Sequence, residues 1–200
     1  MMGVVTYRQQ LRELAEENFG YVTTRDAADL GVPAVELRKL AARGALQHVR
    51  RGVYRFTDAR RTHRDAYAEA VVRTGEEAYL MGEAVLGLLG LAMVEPRRIT
   101  VATPRRTRVK DPGFVDVVRR DLPAELITTY EGIRATTVGQ AILDSRGTVL
   151  TERLLDALTE ARRAGLIDPK EAVRVRRRLT AVHGDRPGSS RRSSPTSAGA

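Results

Sequence analysis

Eight side chains between positions 24 and 55 have the chemistry to hold a polyanion: Thr24, Arg25, Arg38, Lys39, Arg43, Arg50, Arg51 and Arg55. An arginine fork matches a guanine edge or a phosphate with two parallel hydrogen bonds, whereas lysine acts on phosphate mostly as a point charge. Arg38, Lys39 and Arg43 fall opposite Leu37, Leu40 and Ala41 when the stretch is wound as a helix. Arg50-Arg51-Gly52 falls between two strand-like runs, at the expected turn of a hairpin. The chemistry expected is duplex binding, with base edges read by a helix and the backbone followed by a basic turn. Glu36 on the same helix opposes it, since it would repel phosphate unless it accepts from a cytosine amino group. His48, alone on a small hairpin, is read as a surface or packing residue. The competing reading of the whole set is a solvated basic helical surface.

The elements that must position these side chains are marked locally. Thr23 and Thr24 can accept from the orphan N–H groups of a helix starting at Arg25, and Gly31 tolerates the left-handed conformation that stops it. Pro33 suits the first turn of the next helix, with Ala34 or Val35 beginning its packed side and Gly44 ending it. Strand-like runs follow at 46–49 and 53–56, with Val53 and Tyr54 expected in the core. Upstream, Tyr7, Leu11, Leu14 and Ala15 line up at helical spacing. Helix, helix-turn-helix and hairpin in that order make a winged helix-turn-helix, with the second motif helix as the major-groove reader and Arg50-Arg51-Gly52 as the wing tip.

The whole chain sets wider limits. Its 34 basic and 25 acidic residues give a formal +9, and the excess is uneven: net +3 over 1–57, zero over 58–169 and +6 over 170–200. The basic ends favour nucleic acid first and an anionic membrane second. Cysteine is absent, which excludes disulfides and thiolate metal sites, and His48, His63 and His183 are too scattered for a metal cluster. Asp116, Asp121, Glu125 and Asp144 are raw material for a metal-dependent nuclease, but no acidic-x-Lys strand motif accompanies them. No glycine loop cradles a phosphate, so neither a cofactor nor catalysis is expected. The longest apolar run, 84–94, is short of the roughly 20 residues that cross a bilayer. The chain therefore reads as cytoplasmic, with no membrane partner.

Beyond the wing, a helix is expected over 59–73, with 58–75 acting as a connector. An apolar helix over 78–91 has no polar face and should be buried in a second domain, 76–180. β-branched runs at 99–102, 115–118 and 126–130 suggest a small, mostly antiparallel sheet. Helices should follow, capped by Thr136, then over 151–163, then opening at Pro169. Residues 105–110 form a dense basic turn, open to two readings: a contact with flanking DNA or an acidic partner, or a solvated turn. The Gly-, Ser-, Pro- and Arg-rich 181–200 is expected to be a disordered basic tail. The expected class is α+β: a winged helix-turn-helix over 1–57, then a helix-rich domain with a small sheet.

Tyr21-Val22-Thr23-Thr24, Leu30-Gly31-Val32, residues 37–40, Gly44-Ala45-Leu46 and Arg50-Arg51-Gly52-Val53-Tyr54 together resemble the N-terminal domain of AbiEi-type antitoxins of type IV toxin–antitoxin systems. The resemblance continues through 84–91, 99–104 and 136–144, to about Leu179. It implies a winged helix that represses its own operon by binding inverted repeats in the promoter. It also implies a C-terminal domain that counters a nucleotidyltransferase-like AbiEii toxin, without implying direct contact. Arg25, Arg38, Lys39, Arg43, Arg50 and Arg51 would then serve repression. One departure is Met81-Gly82-Glu83, where many relatives carry a Ser-His pair. Inverted repeats need two reading helices about 34 to 36 Å apart or a multiple of that, and no heptad seam favours a preformed dimer. A monomer that pairs on its DNA is expected. Two alternatives are a plain winged-helix regulator with a ligand-binding or dimerisation domain, and a protein-interaction module without specific DNA binding.

Overall fold

The structure, a computed structural model, describes residues 6–106 and 113–181. Residues 182–200 of the tail expected over 181–200, and residues 107–110 of the basic turn expected over 105–110, lie outside the described residues. The chain is α+β. Its first part runs α1 (Tyr7–Glu17), β1 (Tyr21–Thr23), α2 (Thr24–Asp29), α3 (Ala34–Ala42), β2 (Leu46–Arg50) and β3 (Val53–Phe56). That is a winged helix-turn-helix, with β1, β3 and β2 in an antiparallel three-stranded sheet.

Glycine ends both motif helices in the same way. After α2, Gly31 N–H donates to Ala28 O at 2.9 Å and Val32 N–H to Ala27 O at 2.7 Å. After α3, Gly44 N–H donates to Ala41 O and Ala45 N–H to Leu40 O, both at 3.0 Å. Each is a Schellman ending, which needs a left-handed residue at the glycine position, here with φ of 69° and 75°. The two glycines thus let helix carbonyls be satisfied and re-aim the chain, Gly31 from α2 into α3 and Gly44 from α3 into β2. Leu11, Ala15, Val22, Ala27, Val32, Leu37, Leu40, Leu46, Tyr54 and Phe56 form the core beneath. Two expectations change here. Tyr7, placed on the packed side of the first helix, is exposed, and so is Val35 at the start of α3.

The second part holds α4 (Asp65–Thr74), β4 (Tyr79–Leu80), α5 (Glu83–Leu88), β5 (Ile99–Thr103), β6 (Val115–Arg119), β7 (Ile127–Tyr130), β8 (Ile133–Thr136), α6 (Val138–Asp144), α7 (Thr151–Arg163) and α8 (Pro169–Thr180). Its sheet order is β6-β5-β4-β8-β7. The β4–β5 and β7–β8 pairings are antiparallel, and β5–β6 and β4–β8 are parallel. The helix expected from 59 starts only at Asp65. The apolar run 78–91 is divided: Tyr79 and Leu80 enter the centre of the sheet, and helix resumes at Glu83 after Gly82 turns the chain at φ 55°. Gly82 supplies no side-chain cap to α5. Thr137 rather than Thr136 caps α6.

A second core gathers Ala68, Ala70 and Val71 of α4 with the sheet and α5 to α8, and it includes Tyr21 and Val53 of the winged part. The pairing register explains this. Val22 and Tyr54 point from one face of the small sheet into the first core, while Tyr21, Val53 and Arg55 occupy the opposite face, against α4.

Candidate nucleic-acid interface

The entry to α2 is fixed by a capping box. Thr23 Oγ1 accepts from Asp26 N–H at 3.1 Å, and Asp26 Oδ2 accepts from Thr23 N–H at 2.7 Å. The helix therefore begins at Thr24, one residue before the expected start. Thr24 N–H donates to Gly52 O at 2.9 Å, which ties the first turn of α2 to the tip of the wing. Gly52 has φ 75°, and a Cβ there would stand 3.0 Å from Thr24 Oγ1. Thr24 and the Arg51-Gly52 turn, apart in sequence, are thus brought together, with Thr24 and Arg51 exposed.

On α3 the apolar face is Leu37 and Leu40, and Val35, Arg38, Lys39 and Ala42 lie on the solvent side. Lys39 Nζ donates to Glu36 Oε1 at 2.8 Å, so Glu36 is partly neutralised from within its own helix. Arg43 sits at the C-terminal cap and lines an open groove with Glu36, Tyr7, Arg8 and Asp58. Val35, 42% exposed, was assigned to packing and instead adds an apolar surface beside Arg38, of the kind that meets a thymine methyl.

The eight predicted residues separate by what already holds them. Arg38, Arg43 and Arg51 are exposed and form no ion pair among the described residues. Arg25 Nη1 pairs with Glu76 Oε2 at 3.2 Å on an exposed surface. Arg50 is half-buried, donating from Nε to Val72 O at 2.8 Å, and Arg73 Nη1 returns a bond to Val49 O at 3.3 Å. These two bonds stitch the end of β2 to α4. Burial pulls Arg50 below the usual arginine range, with the Glu76 carboxylate opposing the shift.

Arg55 does not face the same surface. It is 5% exposed, lies over the Tyr21 ring at 5.7 Å, and its Nη2 donates to Asp65 Oδ2 at 2.6 Å. It belongs to the seam with α4 and leaves the set of DNA-contact candidates. The physical reason is that β3 is covered on both faces, so no residue of that strand reaches solvent. His48 is exposed and meets the Tyr54 ring edge-on at 5.2 Å, while Val53 and Tyr54 are buried as expected.

Residues 9–57 match the family described as transcriptional regulator, AbiEi antitoxin. The AbiEi match begins inside α1 and ends just after β3, so it spans the winged helix-turn-helix and its candidate DNA surface. The resemblance read further along the chain lies outside it. Among solved structures, the chain is similar to the crystal structure of the RV2827C protein from Mycobacterium tuberculosis, with 18% identity, 88% of this chain and 77% of that chain covered, and a TM-score of 0.40. No curated protein matches the chain.

Two of the four carboxylates weighed for nuclease chemistry, Asp116 and Asp144, are engaged by basic or amide side chains. Asp116 accepts from Arg98 Nε at 2.6 Å, and Asp144 pairs with Arg120 at 2.9 Å and accepts from Gln140 at 2.7 Å. Among the described residues, no group of three or more acidic or histidine side chains is placed to hold a metal ion. No helix among them is long and apolar enough to cross a membrane.

Proposed function

We propose that this chain is a DNA-binding antitoxin that represses its own operon, with α3 reading inverted repeats in the promoter and the second part of the chain counteracting a nucleotidyltransferase-like toxin. The observation that carries the DNA half is the set Arg38, Arg43 and Arg51. These guanidiniums are exposed without a carboxylate partner among the described residues, on the helix face and wing tip of a segment that matches a transcriptional-regulator family. Arg38 and Val35 have the chemistry of base readers, Arg51 and Arg25 that of backbone contacts. One chain carries one reading helix, so two copies meet on an inverted repeat.

The experiment is binding of the full chain to a duplex of its own upstream region, against a scrambled duplex, at two salt concentrations. A preference that survives higher salt and is lost in R38A/R43A is the expected result. Equal, salt-fragile binding to both duplexes would defeat the repressor reading. The antitoxin half rests on the AbiEi match, which stops at residue 57. That limit keeps one competitor in play, a plain regulator whose second part binds a ligand or dimerises. Rescue of growth from a co-expressed neighbouring nucleotidyltransferase separates the two.

A further inference from the structure

Residues 58–169 carry no net charge, yet two of their arginines, Arg105 and Arg106, stand directly beside the winged part. They close one side of an open cleft of about 720 Å³ whose other side holds Arg25 of α2 and Arg50 of β2. The floor is the link from α4 to β4, where Glu76 and Glu77 are consecutive. Glu76 holds Arg25 at 3.2 Å, and Glu77 holds Arg105. Two adjacent carboxylates thus each take one guanidinium, one from either side of the cleft. Four arginines face two glutamates, so the cleft keeps a surplus of two positive charges.

Both ion pairs are exposed, with Arg25 and Arg105 side chains 72% and 81% accessible. Such pairs are worth about 0 to 1 kcal/mol, and a backbone phosphate offers guanidinium the same pair of acceptor oxygens and single charge, with neighbouring phosphates of the duplex adding to the field. The carboxylates occupy the cations without sequestering them. Arg98, just before β5, is more fully engaged, bonding to both Asp116 and the carbonyls of Gly113 and Val115.

We propose that this cleft carries the DNA backbone beyond the half-site read by α3, with Arg105 and Arg106 holding flanking phosphates that displace Glu76 and Glu77. This rests on the DNA-binding reading of the winged part and extends it: the duplex contact is shared by the second part of the chain. Glu76 and Glu77 act as built-in competitors that a phosphate entering the cleft must displace.

The test uses the full chain on a duplex of its own upstream region, by hydroxyl-radical footprinting and by titration over a range of salt. R105A/R106A is expected to lose backbone protection at one flank. It should also flatten the slope of log K against log salt by about 2, at roughly 0.9 per phosphate, while keeping its preference for native over scrambled duplex. E76Q/E77Q is expected to bind several-fold tighter with a steeper slope. An R105A/R106A footprint and salt slope identical to wild type would overturn the proposal. Failure of the parent reading shows differently, as a wild-type chain with no preference for the native duplex. All four positions are exposed or half-exposed, and unchanged thermal unfolding of the variants checks that only the surface was altered.

Discussion

Arg55 and Asp65 form a buried ion pair, Nη2 to Oδ2 at 2.6 Å, with side chains only 6% and 11% accessible. The pair joins the last strand of the wing to the first residue of α4. Asp65 Oδ1 also accepts from Thr62 N–H and Thr62 Oγ1, both at 2.8 Å, so its charge is spread over several donors. Removing one partner strands a charge in the seam. Asp65→Ala is expected to cost about 3 to 5 kcal/mol in urea unfolding, whereas replacing both partners by apolar residues of similar volume, as in R55M/D65L, should cost far less. A D65A loss below 1 kcal/mol would mean that the seam is held by packing alone.

Tyr21 lies on the same seam, and its phenol is pushed well above its ordinary value of 10.0, first by burial and then by the Glu69 carboxylate. The folded chain therefore keeps this proton at a pH where the unfolded chain releases it. The resulting stability is whole below pH 10 and declines as pH rises past that value toward the folded one. Urea midpoints measured from pH 8 to 11 should fall more steeply for wild type than for Tyr21→Phe. Parallel curves would show that Tyr21 does not set the alkaline limit.

Whether a feature could be read from sequence depended on whether its cause is local. Gly31, Gly44 and Thr23 act on their own chain neighbours, so the two motif helices and their turn were legible within a residue. Arg55 was not: Val53-Tyr54-Arg55-Phe56 alternates like a half-exposed strand, and only packing against α4 buries its second face. Residues 78–91 failed for a related reason, because apolar residues on every side describe a central strand as well as a buried helix. Tyr79 and Leu80 took the strand. β8 escaped because its signal is the two-residue turn Glu131-Gly132, with φ of 48° and 83°, and not its own four residues. The late start of α4 belongs to Asp65, whose carboxylate holds Thr62 in a turn that composition does not reveal.

Positioning of the wing against α2 should be separable from the stability of either element. Thr23→Ala removes the half of the capping box in which Thr23 Oγ1 accepts from Asp26 N–H, leaves the bond from the backbone N–H of residue 23 to Asp26 Oδ2, and is expected to cost about 0.5 to 2 kcal/mol. Gly52→Ala forces a side chain into the left-handed region and toward Thr24 Oγ1, for about 1 to 2 kcal/mol. Both variants should also bind the native duplex more weakly, since each loosens the contact between Thr24 and the wing tip. Full retention of DNA affinity in Gly52→Ala at a temperature where it is folded would show that the Thr24–Gly52 contact is structural only.

The two faces of α3 make the sharpest prediction, because residues one position apart should fail in opposite assays. Leu37 is fully buried, and Leu37→Ala is expected to destabilise by about 2 to 5 kcal/mol through lost transfer energy and the cavity left behind. Arg38, its neighbour, is exposed and forms no ion pair among the described residues, so Arg38→Ala should leave unfolding within about 0.5 kcal/mol of wild type. On the native duplex the order reverses. Arg38→Ala should lose about 1 to 3 kcal/mol of specific binding, concentrated at one base pair of each half-site, because a bidentate arginine discriminates the base it forks onto. Val35→Ser, also stable, should lose affinity only where a thymine methyl is present, so replacing that thymine by deoxyuridine in the duplex should abolish the difference between Val35 and Ser. Unchanged binding for both Arg38→Ala and Val35→Ser on a duplex that wild type prefers would move base reading off the solvent face of α3.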